Sequence, residues 1–185
     1  MKQRNILYYI MIAVVLTLSC GGGKTGAVES KIEAEGPKIP DFSAFDSAGK
    51  EFTQREISNG PAVACFLVSW CLTCGYELVA LQEISDEMAN YKIPIVIFSF
   101  EDPAEFKPLL DSLSVNLPIV KADSALFAGL RIDAIPTRIL FSNGREAMRI
   151  TGAPSFNDEK FRMMLRKAVG LPPEGLKATS AKTDS

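Results

Sequence analysis

Cys71 and Cys74 are separated only by Leu72 and Thr73, in a chain of 185 residues that has four cysteines and no histidine. Without an imidazole, Ser–His and Cys–His nucleophilic pairs, histidine base catalysis and every His-containing zinc site are excluded. The nucleophile left to such a chain is a thiolate. The pair follows an apolar run over 62–69 and opens a segment of helical periodicity over 71–91. At that junction Cys71 falls among unpaired backbone N–H groups at the positive end of a helix dipole, where the thiolate is favoured. Two intervening residues on a first helical turn let the sulfurs approach bonding distance. Cys71 can then attack a disulfide and Cys74, deeper in the turn, can displace what Cys71 captures. Two other readings stay open. A Cys71–Cys74 disulfide can be a static staple, although so short a loop constrains the unfolded chain little. Half of a zinc site is the other, with only Cys65 left as a further ligand once Cys20 is set aside.

Other residues gather around this pair. On a helix advancing about 100° per residue, Glu77 lies inside the apolar arc of Leu78, Ala80, Leu81, Ile84 and Met88, whereas Glu83, Asp86 and Glu87 face the other way. One turn after Cys74, the Glu77 carboxylate can accept that thiol's proton; the alternatives are that it reaches for water or pairs with a basic residue. Trp70, adjacent to Cys71, is a candidate shield for the centre. Cys65, between Ala64 and Phe66, reads as a small buried hydrophobe. Ile135-Pro136-Thr137 heads a later strand, and its proline fits either an ordinary strand start or a special turn with a cis bond. Beside the cysteines, such a loop would offer backbone to the extended chain of a substrate.

The elements that must position these residues alternate. A short antiparallel pair around a turn at 47–50 precedes the apolar strand 62–69, the helix 71–91 and a β-branched strand at 93–100, which together make a parallel βαβ unit. A helix at 104–113, a short strand at 117–120 and a short helix at 124–130 capped near Asp123 come next. Strands at 138–142 and 147–151 flank Asn143-Gly144, a hairpin signal. A last helix at 158–169 is stopped by Gly170 and the Pro172-Pro173 pair. The expected architecture is α/β, a mixed sheet with helices on both faces. With 47% hydrophobic residues, the length suits one domain.

The ends read differently. Lys2 and Arg4 precede an apolar run over 6–18 that closes on Ser19, Cys20 and three glycines, a signal-peptide layout. The run is shorter than the roughly 20 residues of a permanent span. Leu16-Thr17-Leu18-Ser19-Cys20 resembles a bacterial lipobox, which implies removal of residues 1–19 and lipidation of Cys20; an uncleaved anchor helix is the alternative. Residues 20–37 read as a flexible spacer, 38–171 as the folded domain and 172–185 as a disordered tail. Export places the cysteine pair where disulfides persist. A formal charge of −2, more acidic once Lys2 and Arg4 are removed, provides no basic surface for nucleic acid.

From about Lys38 to Val169 the chain resembles exported thiol-disulfide oxidoreductases of the thioredoxin fold, in particular the TlpA/ResA type. The resemblance rests on Ile39-Pro40-Asp41-Phe42, Gly49-Lys50, the Trp70-Cys71-x-x-Cys74 centre, Glu77, the extra helix and strand between the two halves, and Ile135-Pro136-Thr137. It implies a thioredoxin fold with an N-terminal β-hairpin extension and an inserted helix–strand unit. It also implies a redox-active disulfide with no further cofactor or metal, a cis Pro136 facing it, and Glu77 handling protons. Trp70, Ile135, Pro136 and Thr137 would then bind substrate. The partners implied are exported proteins with thiols or disulfides, apocytochrome c among them, and a membrane electron donor. The expected protein is a membrane-anchored lipoprotein facing the periplasm and acting as a reductant. Val79 stands where the family often has proline, and Leu72-Thr73 lacks the proline common between such cysteines, which leaves the direction of electron flow open. Two alternatives are a peroxiredoxin-like thiol peroxidase, against which Val68 stands where a Thr-x-x-Cys pattern needs threonine, and a non-catalytic binding module with a structural disulfide.

Overall fold

The structure is a computed structural model that describes residues 30–152 and 157–172. The export segment, Cys20, the first part of the spacer and residues 173–185 lie outside the described residues. In chain order the elements are β1 (Ser43–Phe45), β2 (Glu51–Thr53), β3 (Pro61–Phe66), α1 (Leu72–Glu87), β4 (Ile95–Ser99), α2 (Lys107–Leu113), β5 (Ile119–Ala122), α3 (Ser124–Gly129), β6 (Thr137–Ser142), β7 (Arg145–Thr151) and α4 (Asn157–Ala168). The strands form one sheet in the order β2-β1-β5-β4-β3-β6-β7. β3, β4 and β5 run parallel, and the remaining pairings are antiparallel.

β3 sits near the middle because every residue in it is apolar enough to be buried on both faces. Val63 and Cys65 point to the side covered by α1 and α4, packing with Leu78, Leu81, Phe161 and Leu165. Ala62, Ala64 and Phe66 point to the other side, against Ile39, Phe42 and Leu126 of α3. Arg162 and Arg166 of α4 tie the outer edge of α1 through Glu83 and Glu87. The β6–β7 hairpin turns on Asn143 and Gly144, both at positive φ (51° and 73°), as a two-residue primed turn requires.

Several boundaries differ from the sequence reading; the helix expected at 71–91 ends at Glu87, with a separate 3-10 turn, Ala89–Tyr91, after it. The strand ends at Phe66, short of the apolar run 62–69; Leu67 N still donates to the Phe98 carbonyl, Leu67 and Val68 stay buried, and the chain turns at Ser69-Trp70 to deliver Cys71 to the helix. The helix expected at 104–113 starts as a 3-10 turn, Pro103–Phe106, before α2. Pro108, with no N–H to return to the Ala104 carbonyl, fits only the first turn of a new helix. The spacer reading of 20–37 needs the larger correction, because residues 30–37 are docked. Ile32 is buried in the core, its carbonyl accepts from Ser142 Oγ at 2.7 Å, and Lys31 N donates to the Ala168 carbonyl at 2.8 Å. Gly36 N donates to the Glu146 carbonyl of β7, and a Cβ at Gly36 would collide with that carbonyl. Composition concealed this, since one apolar residue and backbone hydrogen bonds hold the segment.

Candidate active site

Cys71 is the N-cap of α1, in extended conformation, and its carbonyl accepts the first helical hydrogen bond, from Cys74 N at 2.9 Å. The preceding turn is clamped by Glu101, just past β4: its carboxylate accepts from Ser69 N at 2.6 Å and Ser69 Oγ at 3.1 Å. No sequence signal singled out Glu101, because the contact crosses 32 positions. The three described cysteines, Cys65, Cys71 and Cys74, are free in the structure.

The two thiols of the pair are unlike. Cys71 is partly exposed and Cys74 is fully buried. Partial burial by itself would raise the Cys71 thiol. Hydrogen bonds from the Cys74 thiol, the Thr73 hydroxyl and the backbone N–H groups of Cys74 and Thr73 outweigh it and hold Cys71 below the ordinary thiol value. Thr73 Oγ1 lies 3.1 Å from Cys71 Sγ, which makes Thr73 a functional residue that the spacing argument passed over. Burial, and then the hydrogen bond to Cys71, push Cys74 up to about 12. One thiol is therefore prepared to be a nucleophile and the other to stay protonated until a disulfide is offered to it.

Glu77 is buried, 2% exposed, directly below Cys74 on α1. Of the alternatives left open, the structure realises pairing with a basic residue. Arg138 of β6, 1% exposed, grips the carboxylate with two prongs, Nε to Oε1 and Nη2 to Oε2 at 2.7 Å. The Cys65 thiol also donates to Oε1, at 3.7 Å. Cys65 is thus a hydrogen-bond donor as well as a buried filler, its thiol raised by burial and then by the charge of Glu77. Phe161 of α4 stacks on the guanidinium, 4.8 Å from ring centroid to Cζ. The sequence held a clue to this pair: Arg138 is a lone charge in the otherwise apolar strand 138–141, and a buried arginine needs a buried counter-charge.

The loop before β6 carries a cis Ile135–Pro136 bond. Ile135 and Ala134 line a groove of about 570 Å³ with Trp70, Cys71, Phe100 and Phe127. Pro136 and Thr137 are buried behind it, the Pro136 carbonyl accepting from Gly152 N and the Thr137 hydroxyl donating to the Ala134 carbonyl. Of the residues expected to touch substrate, Trp70 and Ile135 reach the groove, and Pro136 and Thr137 support it. Trp70 is 75% exposed, so it stands as a wall and does not cover the thiols. On its other side a second groove, about 480 Å³, runs from Cys71 between α1 and α2 along Leu72, Tyr76, Val79 and Leu109. Among the described residues no cluster of three or more His, Cys, Asp or Glu side chains is arranged to hold a metal.

A central parallel strand that hands over to a helix at CxxC, facing a cis-proline loop across a mixed sheet, defines the thioredoxin fold. The chain belongs to the AhpC/TSA family, whose model matches residues 36–132. It is 24% identical over 148 residues to the chloroplastic thioredoxin Y of Oryza sativa subsp. japonica, spanning 78% of this chain and 67% of that one. Similar solved structures include a thiol:disulfide interchange protein of the thioredoxin family from Chlorobium tepidum TLS, with TM-score 0.61, 21% identity, and 75% of this chain and 100% of that one covered. The peroxidoxin BcpB of Mycobacterium tuberculosis is another, with TM-score 0.59, 17% identity, and coverage of 73% and 97%.

Proposed function

We propose that this chain is a thiol-disulfide oxidoreductase that exchanges dithiol for disulfide with protein partners through Cys71 and Cys74. The observation that carries this reading is the asymmetry of the dithiol: a partly exposed Cys71 held below its ordinary value, and a buried Cys74 raised to about 12. Cys71 attacks the partner disulfide, Cys74 resolves the mixed disulfide, and the grooves beside Trp70 receive the chain flanking the partner cysteine. The thiol:disulfide interchange protein from Chlorobium tepidum, by its name, supports the same chemistry. The finer reading is a lipoprotein tethered through Cys20, exported with its domain in the periplasm, and reducing exported partners such as apocytochrome c with electrons from a membrane donor. It rests on the lipobox-like segment and the TlpA/ResA resemblance. Insulin-disulfide reduction by the reduced protein, lost in Cys71→Ser, tests the activity; full turnover in that variant contradicts it.

A second reading, a thiol peroxidase, is favoured by the family match and the likeness to peroxidoxin BcpB. Thr73, the threonine beside Cys71, follows it where a Thr-x-x-Cys pattern would put one three residues before. Turnover of hydrogen peroxide by the purified protein decides between the two.

A further inference from the structure

The resolving step must release a proton from Cys74, a thiol raised to about 12 and closed off from water. A buried carboxylate next to it is the obvious acceptor, but the Glu77 carboxylate is already engaged. Oε1 accepts from Arg138 Nε and the Cys65 thiol, and Oε2 accepts from Arg138 Nη2 at 2.7 Å. We propose that Arg138 is a positioning residue which holds Glu77 as half of a fixed ion pair, withdraws it from proton transfer, and leaves the Cys74 proton to the departing thiolate of the partner. This inference rests on the dithiol-exchange reading above.

The step balances without an added base. In the mixed disulfide, the Cys71 sulfur is bonded to the partner sulfur. The Cys74 sulfur forms a bond to the Cys71 sulfur, the Cys71–partner bond breaks, and its electron pair leaves on the partner sulfur. The proton lost by Cys74 ends on that sulfur, so a partner thiol departs and a Cys71–Cys74 disulfide remains. The groups around Glu77 are consistent with a closed pair. α1 supplies Cys74, β3 supplies Cys65, and β6 supplies Arg138. From α4, Phe161 covers the guanidinium, and Arg162 and Arg166 are engaged outward with Glu83 and Glu87. A bidentate guanidinium fixes carboxylate direction, so both Glu77 oxygens stay turned toward Arg138 below the helix.

The test is a two-step reaction of the reduced protein with oxidised glutathione, whose leaving thiol is of ordinary basicity, followed by acid quench and mass spectrometry. Attack by Cys71 releases the first glutathione and displacement by Cys74 the second. Proton transfer by a positioned base is worth about 10²–10⁴-fold, so the inference expects Glu77→Gln to change the second rate by less than about threefold while Arg138 is present. In an Arg138→Met background, where the carboxylate is released, the same Glu77→Gln change should slow the second step about tenfold or more. Arg138→Lys, keeping the charge but losing the fork, should fall between. A fall of tenfold or more from Glu77→Gln alone overturns the inference. Should these variants not fold, the redox difference infrared spectrum of the unsubstituted protein gives the answer. A protonated-carboxyl band that appears on oxidation and shifts on ¹³C labelling of glutamate overturns the inference, and its absence supports it. Absence of any second release from the unsubstituted protein refutes dithiol exchange itself, which separates the two failures.

Discussion

Replacing Thr73 by valine keeps the shape of the side chain and removes the hydroxyl that lies 3.1 Å from Cys71 Sγ. A hydrogen bond to a charged group is worth about 1.5–3 kcal/mol, and the low end applies because the exposed Thr73 side chain competes with water. Losing about 1.5 kcal/mol of thiolate stabilisation lowers the thiolate population about tenfold at a pH where the thiol form dominates. The thiolate that remains is more basic and, with a Brønsted slope of about 0.4–0.5, reacts about threefold faster. The two effects oppose each other, so alkylation of Cys71 should slow about threefold at low pH and quicken about threefold at a pH where both proteins are fully thiolate. Pseudo-first-order iodoacetamide kinetics across the pH range, with modification at Cys71 checked by peptide mass mapping, reads the crossing directly. Curves that coincide, or that differ by one constant factor at every pH, refute the role given to the Thr73 hydroxyl.

Arg138→Met leaves the Glu77 charge buried without its ion-pair partner and should destabilise the fold by about 3–5 kcal/mol in denaturant titration; a change under about 1 kcal/mol contradicts the buried pairing. Glu101→Ala removes the acceptor for Ser69 N and Oγ and should cost about 1.5–3 kcal/mol, with faster hydrogen exchange confined first to the Ser69-Trp70 turn. Stability of the reduced protein should fall as pH rises from about 9 to about 12, because the Cys74 thiol loses its proton near its ordinary value when unfolded and keeps it up to about 12 when folded. Cys65, also raised, acts in the same direction. Cys71, held down, acts in the opposite sense, contributing stability gained as pH rises toward its ordinary value and lost as pH falls through its folded one. Cys74→Ala should therefore flatten the alkaline loss; an unchanged slope contradicts the burial argument.

Local signals were the readable ones. The Asn143-Gly144 turn, the Asp123 cap of α3, the apolar run of β3 and the CxxC at a strand-to-helix junction all depend on neighbours within a few residues, and each is found where the pattern points. The parts that escaped are long-range. The Glu77–Arg138 pair joins positions 61 apart, and an amphipathic plot of α1 shows that Glu77 is buried without showing what meets it. The docking of residues 30–37 against β6, β7 and α4 rests largely on backbone groups, which side-chain patterns do not report. Pro136 heads a strand in either of its sequence readings; the cis bond and the burial of Pro136 and Thr137 behind Ile135 became visible only with the groove.

An exchange centre must be a reversible couple, so the most direct measurement is a redox titration of the purified protein in glutathione and dithiothreitol buffers, with each cysteine resolved by mass spectrometry after quenching. The asymmetric dithiol predicts a two-electron Cys71–Cys74 couple between about −120 and −270 mV, the span of known disulfide oxidoreductases, with Cys65 remaining a thiol throughout. A Cys71–Cys74 disulfide still intact below about −300 mV, or none formed under oxidising buffer, contradicts it.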